Sequence, residues 1–91
     1  MIEGRGDMWY TYILYCKVRK VFYIGFTSDL KRRMQEHLSG SNHTTKRMQD
    51  IELVYYEACR NEADARAREK GLKTGFGRGY IKNRLKNYLN N

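Results

Sequence analysis

The sequence predicts a small α/β domain of the α+β kind: a three-stranded, largely antiparallel sheet flanked by helices. Three observations carry this reading. Residues 9–16, 21–26 and 51–59 are rich in aromatic and β-branched side chains, the composition of a pleated, half-buried surface. Between and after these runs, apolar residues recur three or four positions apart, the spacing of one helix face. The 91 residues hold no proline and no low-complexity linker, which points to one domain burying roughly 60% of the surface of its unfolded chain.

The opening Met1-Ile2-Glu3-Gly4-Arg5 reads as an engineered protease-site scar. Residues 1–7 are therefore expected to be disordered, with Met8 as the native start of a single domain over 8–91. Those residues include Glu3, Arg5 and Asp7, a net of −1, so the formal charge of +8 becomes +9 without them. Trp9–Cys16 is the first strand. Residues 17–20 form a polar turn, without the glycine or asparagine that tight hairpins favour. The second strand covers 21–26. Pairing Cys16 with Val21 places Tyr12, Leu14, Tyr23 and Gly25 on one face, and a one-residue slip would part the two tyrosines. Two strands are marginal alone, so Ile51–Cys59 is expected to join them as a third.

Thr27, Ser28 and Asp29 are helix-starting residues. Leu30, Met34 and Leu38 then share one helical stripe, with His37 beside it, Arg33 at its rim and Gly40 ending the helix. Residues 41–50 are polar. Asn61 can cap a second helix, with Asp64 in its first turn. On that helix Ala65 and Leu72 mark the inward face, and Glu69 projects between them. A carboxylate there is costly unless it is partnered. Gly75-Phe76-Gly77-Arg78-Gly79 reads as a flexible joint. Ile81, Leu85, Tyr88 and Leu89 give a final amphipathic helix.

The excess of 18 Lys and Arg over 10 Asp and Glu favours a polyanionic partner, most often nucleic acid. A merely soluble basic surface is the bland alternative. His43, Lys46 and Arg47 form a second basic patch. There is no apolar run long enough for a membrane span and no secretory signal. Cys16 and Cys59 lack the close spacing of a zinc site or a disulfide scaffold. They read as buried thiols in a reducing, cytoplasmic compartment.

The order Tyr12, Tyr23-Ile24-Gly25, Arg33, His37 and Glu69 resembles the GIY-YIG nuclease domain. In particular it is similar to a small standalone bacterial branch related to the N-terminal domain of the excision-repair nuclease subunit. The resemblance covers nearly all of residues 8–91 and extends to Glu52-Leu53-Val54-Tyr55-Tyr56-Glu57 and Gly79-Tyr80-Ile81-Lys82-Asn83-Arg84-Leu85. Tyr10 and Thr11 stand where the family usually has glycine and isoleucine. The resemblance implies an endonuclease that uses Mg²⁺ or Mn²⁺ to hydrolyse DNA, one strand per active site. It implies Tyr12, Tyr23, Arg33, His37 and Glu69 as catalytic residues, with Glu69 holding the metal. The family also carries an asparagine beyond the glutamate, for which Asn83 is the nearest candidate. Gly25, His43, Lys46, Arg47 and Arg78 are the further candidates for nucleic-acid contact. The residues do not separate DNA from RNA, and intrinsic specificity is expected to be low, with a partner protein, a dimer or a special DNA structure as the candidate sources of targeting.

Elementary chemistry supports these roles independently. A lone carboxylate suffices for magnesium, which completes its shell with water and phosphate oxygens. Arg33 suits the charge that builds on a phosphate under attack. A phenol with a pKa of about 10 is ionised in about a thousandth of molecules at neutral pH, a cost of roughly 4 kcal/mol. Tyr12 therefore needs help as a base, and His37 is the natural acceptor. Tyr23 would contact the phosphate or the attacking water.

Each residue also has an ordinary reading. Tyrosines are common in sheets, His37 could simply pack, Glu69 could pair with Arg66 or Lys73 on its own helix, and Gly25 could mark a plain bulge. The rival function is a non-catalytic basic nucleic-acid-binding module, which has no need of an inward carboxylate. A small protein-interaction domain is a third reading.

Overall fold

The computed structural model describes residues 8–38 and 51–90. The expected scar, Gly40 and the patch of His43, Lys46 and Arg47 lie outside the described residues. The elements are β1 (Trp9–Cys16), β2 (Val21–Thr27), α1 (Leu30–Leu38), β3 (Ile51–Cys59), α2 (Glu62–Leu72), α3 (Gly75–Arg84) and α4 (Lys86–Leu89). The sheet order is β2-β1-β3 and both pairings are antiparallel. Cys16 pairs with Val21, which sets Tyr12 opposite Gly25 and Leu14 opposite Tyr23. This is the register the sequence called for, and it runs from Tyr10 to Cys16 without a bulge.

Strand β1 is central, so both of its faces are covered and Thr11, Tyr12, Ile13 and Leu14 are all buried. One face packs on α2 and α3. There Ile13, Leu72 and Ile81 are 1% exposed and form the core cluster, with Phe22, Ile24 and Leu85 packed against it. Each of the three fully buried side chains contributes about 1.5–3 kcal/mol through apolar burial. The Thr11 hydroxyl donates to the Ala65 carbonyl at 3.0 Å, tying α2 to the central strand. Between Ile13 and Leu14 the pairing with β3 shifts by one residue. This lets the neighbours Val54 and Tyr55 both touch the core, as the local bend of a bulge permits.

Helix caps follow the sequence. Asp29 Oδ1 accepts from the Arg32 N–H at 3.0 Å at the start of α1. Asn61 Oδ1 accepts from the Ala63 and Asp64 N–H groups at 2.8 and 3.2 Å at the start of α2. Helix α1 departs from expectation in its inward face. His37 is its buried residue, while Leu38 is 71% exposed. The imidazole can be buried because it has a partner on the sheet, the Tyr12 hydroxyl.

The glycine-rich run is not a joint. It is the first half of α3, and the Thr74 hydroxyl caps it by accepting from the Gly77 N–H at 3.2 Å. Gly77 is buried, and a β-carbon there would strike the Leu72 backbone. Here glycine serves close approach rather than flexibility: α3 begins against the last turn of α2. The expected final helix is also divided. Leu85, at φ −109° and ψ 23°, leaves helical geometry and separates α3 from α4. Cys16 and Cys59 are not joined in a disulfide. No helix among the described residues is long and apolar enough to cross a membrane.

Candidate active site

A cleft of about 840 Å³ opens along β2, with α1 contributing Arg33 and His37, α2 contributing Glu69, and α3 contributing Arg78. Tyr12, Tyr23 and Gly25 line it from the sheet. Five side chains and a glycine from across 58 positions of sequence, residues 12 to 69, thus meet in one place, and Arg78 joins them. Asn83 does not. It sits on the exposed side of α3, one residue past the cleft-lining Lys82 and two past buried Ile81. At about 100° per residue, two steps turn it nearly opposite the core.

The centre of the cleft is a contact between Tyr12 and His37. The phenol oxygen lies 3.1 Å from Nε2, and the rings meet edge to face at 5.7 Å. Gly25 makes this possible. It is no bulge: a β-carbon at that position would fall 2.5 Å from the Tyr12 hydroxyl and 2.7 Å from Cζ, so the bare backbone of β2 is the seat of the ring. Burial holds the Tyr12 proton above the usual phenol range, and the adjacent Arg33 offsets this only in part. Burial, and after it the Arg33 charge, lowers the His37 pKa below its ordinary value. The imidazole is therefore neutral at pH 7, and with its proton on Nδ1 its Nε2 can accept from Tyr12.

Arg33 is steadied by Glu36, whose Oε1 lies 3.0 Å from Nε. The Arg33 Nε–H is buried and is not aligned with an acceptor, so this is a charge contact rather than a hydrogen bond. Glu69, with a side chain 16% exposed, receives Lys73 Nζ at 3.1 Å. Of its two expected helix neighbours only Lys73 pairs with it; Arg66 pairs with Glu62 instead, at 2.9 Å. Among the described residues no group of three or more His, Cys, Asp or Glu could cage a metal. A single carboxylate in an open polar cleft does not suit zinc, which wants several protein ligands. It does suit Mg²⁺ or Mn²⁺, bound through one carboxylate, waters and substrate oxygens.

Three cleft cations escaped the sequence reading as cleft residues: Lys20, Lys73 and Lys82. Two carried a usable signal. Lys73 is four residues past Glu69, and Lys82 is four past Arg78, so each shares its neighbour's helix face. Lys20 carried none. A second polar cluster lies outside the cleft. Arg68 Nη2 and Nε donate to Glu57 at 2.8 to 3.1 Å, and the Tyr55 hydroxyl donates to the same carboxylate at 3.0 Å. Hydrogen bonding from Arg68 holds the Glu57 carboxyl below its usual range. Burial, with the hydrogen bonds to Tyr80 and Glu57, pushes the Tyr55 phenol up to about 12. This cluster fastens β3 to α2 and α3.

Comparisons with known proteins show the family and the fold. The model of the GIY-YIG catalytic domain matches residues 8–83. A UPF0213 protein of Desulfotalea psychrophila is 37% identical over 74 residues, which are 78% of this chain and 66% of that protein. The chain thus spans just under two thirds of the length of that relative. A UPF0213 protein of Limosilactobacillus reuteri is 35% identical over 71 residues, 75% of this chain and 73% of that one. Among solved structures, the UPF0213 protein BH0048 of Bacillus halodurans is similar, with a TM-score of 0.51, 28% identity and 81% of each chain covered. The names of these relatives state no activity.

Proposed function

We propose, from the premise that this chain belongs to the GIY-YIG family, that it is a divalent-metal-dependent endonuclease hydrolysing DNA, one strand per active site. The observation that carries the reading is the convergence of Tyr12, His37, Arg33 and Glu69 on one basic cleft, with Tyr12 in contact with a neutral His37. Residues 8–91 are read as one nuclease domain.

The geometry supports the following roles. Tyr12 is a poor base alone, because burial disfavours its anion. His37 Nε2, at 3.1 Å, can take the phenol proton as Tyr12 Oη takes one from the attacking water, so no free phenolate need accumulate. Arg33 places a fixed positive charge beside them for the phosphate. Tyr23, on the same wall, orients the phosphate or the water. Glu69 would hold Mg²⁺ or Mn²⁺ once Lys73 has given up its carboxylate. When bound, the metal supplies Lewis-acid stabilisation of the leaving oxygen. Lys73, Arg78 and Lys82 hold flanking phosphates.

The Lys73–Glu69 ion pair is the one observation that favours a second reading, a non-catalytic basic nucleic-acid-binding module in which Glu69 is structural. Nicking of supercoiled plasmid separates the two. Wild type, Glu69→Gln and Arg33→Ala are compared in Mg²⁺, Mn²⁺ and EDTA at low and moderate salt. The nuclease reading requires metal-dependent nicking by wild type that both variants lose. Salt-sensitive DNA binding by all three, without nicking, would favour the binding module.

A further inference from the structure

We propose that Lys20 grips a backbone phosphate of the substrate strand, and that its turn is held in a strained conformation to present it. The inference rests on the reading of the cleft as a nucleic-acid site. Lys20 is the only non-glycine residue with positive φ among the described residues, at 57°. It closes the four-residue turn between β1 and β2 by donating its N–H to the Cys16 carbonyl at 2.7 Å. The left-handed region sets a β-carbon against the neighbouring carbonyl, and glycine occupies it without that conflict. A lysine there keeps the conflict and adds a charge. Strain retained in this way points to a use for the side chain.

The surroundings say what the use is. The turn holds three cations, and they part company. Lys17 extends to the Tyr88 ring, 5.9 Å from its centroid. Arg19 is exposed and lines no part of the cleft, whereas Lys20 lines it together with Arg33, Lys73, Arg78 and Lys82. Against these five cations the lining among the described residues sets one carboxylate, Glu69, paired with Lys73, while Glu36 partners Arg33 from outside that lining. Such a field suits a polyanion. Lys20 immediately precedes β2, and Gly25, the seat of Tyr12, is five residues further along. At about 3.3 Å per residue, that is roughly 16 Å of strand. Lys20 therefore meets a phosphate well away from the one being cleaved. Its contribution is to holding the strand, not to the chemistry.

The test compares K20G and K20R with R19A, which removes the same charge from the same turn. Binding to a short fluorescein-labelled DNA duplex, and to its single strand, is followed by anisotropy in EDTA across a salt series. Thermal unfolding is recorded in parallel, and plasmid nicking is resolved into KM and kcat. K20G is expected to raise Tm by about 4 °C, as relief of turn strain in a domain this small should. The same variant should weaken DNA binding several-fold and flatten the salt dependence by roughly one phosphate contact, about 0.7–0.9 in log–log slope. It should also raise KM more than it lowers kcat. K20R is expected to retain the binding, and R19A to lose far less than K20G. If K20G binds DNA with wild-type affinity and salt slope, or loses no more than R19A, Lys20 is only a turn residue and the proposal is overturned. If K20G lowers Tm, the turn is not strained and the proposal falls for that reason. If wild type itself binds neither DNA with salt sensitivity, the nucleic-acid reading of the cleft has failed, a result distinct from the failure of Lys20 alone.

Discussion

The phenol ring of Tyr12 occupies the space that a side chain at residue 25 would need. A β-carbon built on Gly25 lies 2.5 Å from the Tyr12 hydroxyl. The two residues face each other across the β1–β2 ladder, and the second is bare so that the first can lie flat over it. Gly25→Ala should therefore displace the ring rather than merely stiffen the strand. The expected cost is about 1–3 kcal/mol, as for overpacking generally, with a loss of nicking larger than the unfolded fraction explains. Urea unfolding and plasmid nicking on the same preparation decide it; full activity would mean that Tyr12 need not sit there.

Removing only the hydroxyl is the complementary change. Tyr12→Phe keeps the ring on its seat and deletes the 3.1 Å contact with His37 Nε2. Stability should fall by about 1 kcal/mol, the usual worth of one such bond. Nicking should fall by about 10²–10⁴, the range for loss of a positioned proton acceptor, while DNA affinity stays near wild type. A Tyr12→Phe protein that nicks at the parental rate would remove Tyr12 from the chemistry.

The pH dependence of stability should have two separate windows. His37 has a native pKa below its ordinary 6.5. Between that lowered value and 6.5 the unfolded chain binds a proton that the native chain does not, so stability falls as pH drops below about 6.5. Glu57 has a native pKa below its ordinary 4.5 because of Arg68. Its contribution is present above 4.5 and is lost as pH falls from there through the native value. Urea midpoints measured from pH 8 to pH 3 should show the upper decline flattened in His37→Gln and the lower one flattened in Glu57→Gln. A His37→Gln profile identical in shape to wild type would contradict the buried neutral imidazole.

If Glu69 holds the metal as proposed, Lys73 should compete for it, since its ammonium already sits 3.1 Å from Oε2. Lys73→Met should lower the Mn²⁺ concentration for half-maximal nicking several-fold, even as the loss of a cleft cation weakens DNA binding. A manganese titration at saturating DNA separates these effects. An unchanged or higher metal requirement would mean that Lys73 does not restrain the carboxylate.

The glycines of α3 are unlike one another. A β-carbon at Gly77 would strike the Leu72 backbone, whereas at Gly79 it would meet nothing within 4 Å. Gly79→Ala should raise stability by about 0.5–1 kcal/mol, the helix cost of glycine. Gly77→Ala should lower it by about 1–3 kcal/mol or more. Circular-dichroism melts of both variants test the pair, and equal shifts would mean that the α2–α3 approach is looser than described.

That run of glycines also marks where sequence reading stopped. Glycine is a poor helix former, so local propensity argued for a joint; the helix exists because α3 packs on Leu72, a tertiary fact that no local pattern displays. The same limit hid the Val54 bulge, the direction of Asn83 and the place of Lys20 beside the cleft. The strands, the hairpin register and the Asn61 cap were legible because they depend on neighbours in sequence: alternation, a fixed turn length, a side chain two residues from its N–H. The grouping of Tyr12, Tyr23, Arg33, His37 and Glu69 was legible only as an ordered set resembling a family. Singly, each looked like packing or surface. Leu38 misled for a physical reason: hydrophobicity alone ranks it above His37, but a hydrogen-bond partner on β1 makes the histidine the better buried residue.

Tyr12 belongs to the four-residue stretch, Thr11 to Leu14, in which every side chain is buried. Its backbone is thus the part of the molecule that opens last, and amide exchange there should report global unfolding only. Partly melted forms should keep this tyrosine in place, so any heat inactivation that precedes global unfolding should trace to the helices that carry Arg33 and Glu69. In a mutational library the same stretch would be the least forgiving, and it would be hard to tell there which losses are of chemistry and which are of the fold itself. The helices carrying Arg33 and Glu69 lie outside that stretch, and if the cleft holds nucleic acid as proposed, variation in how the strand is held has room to arise on them.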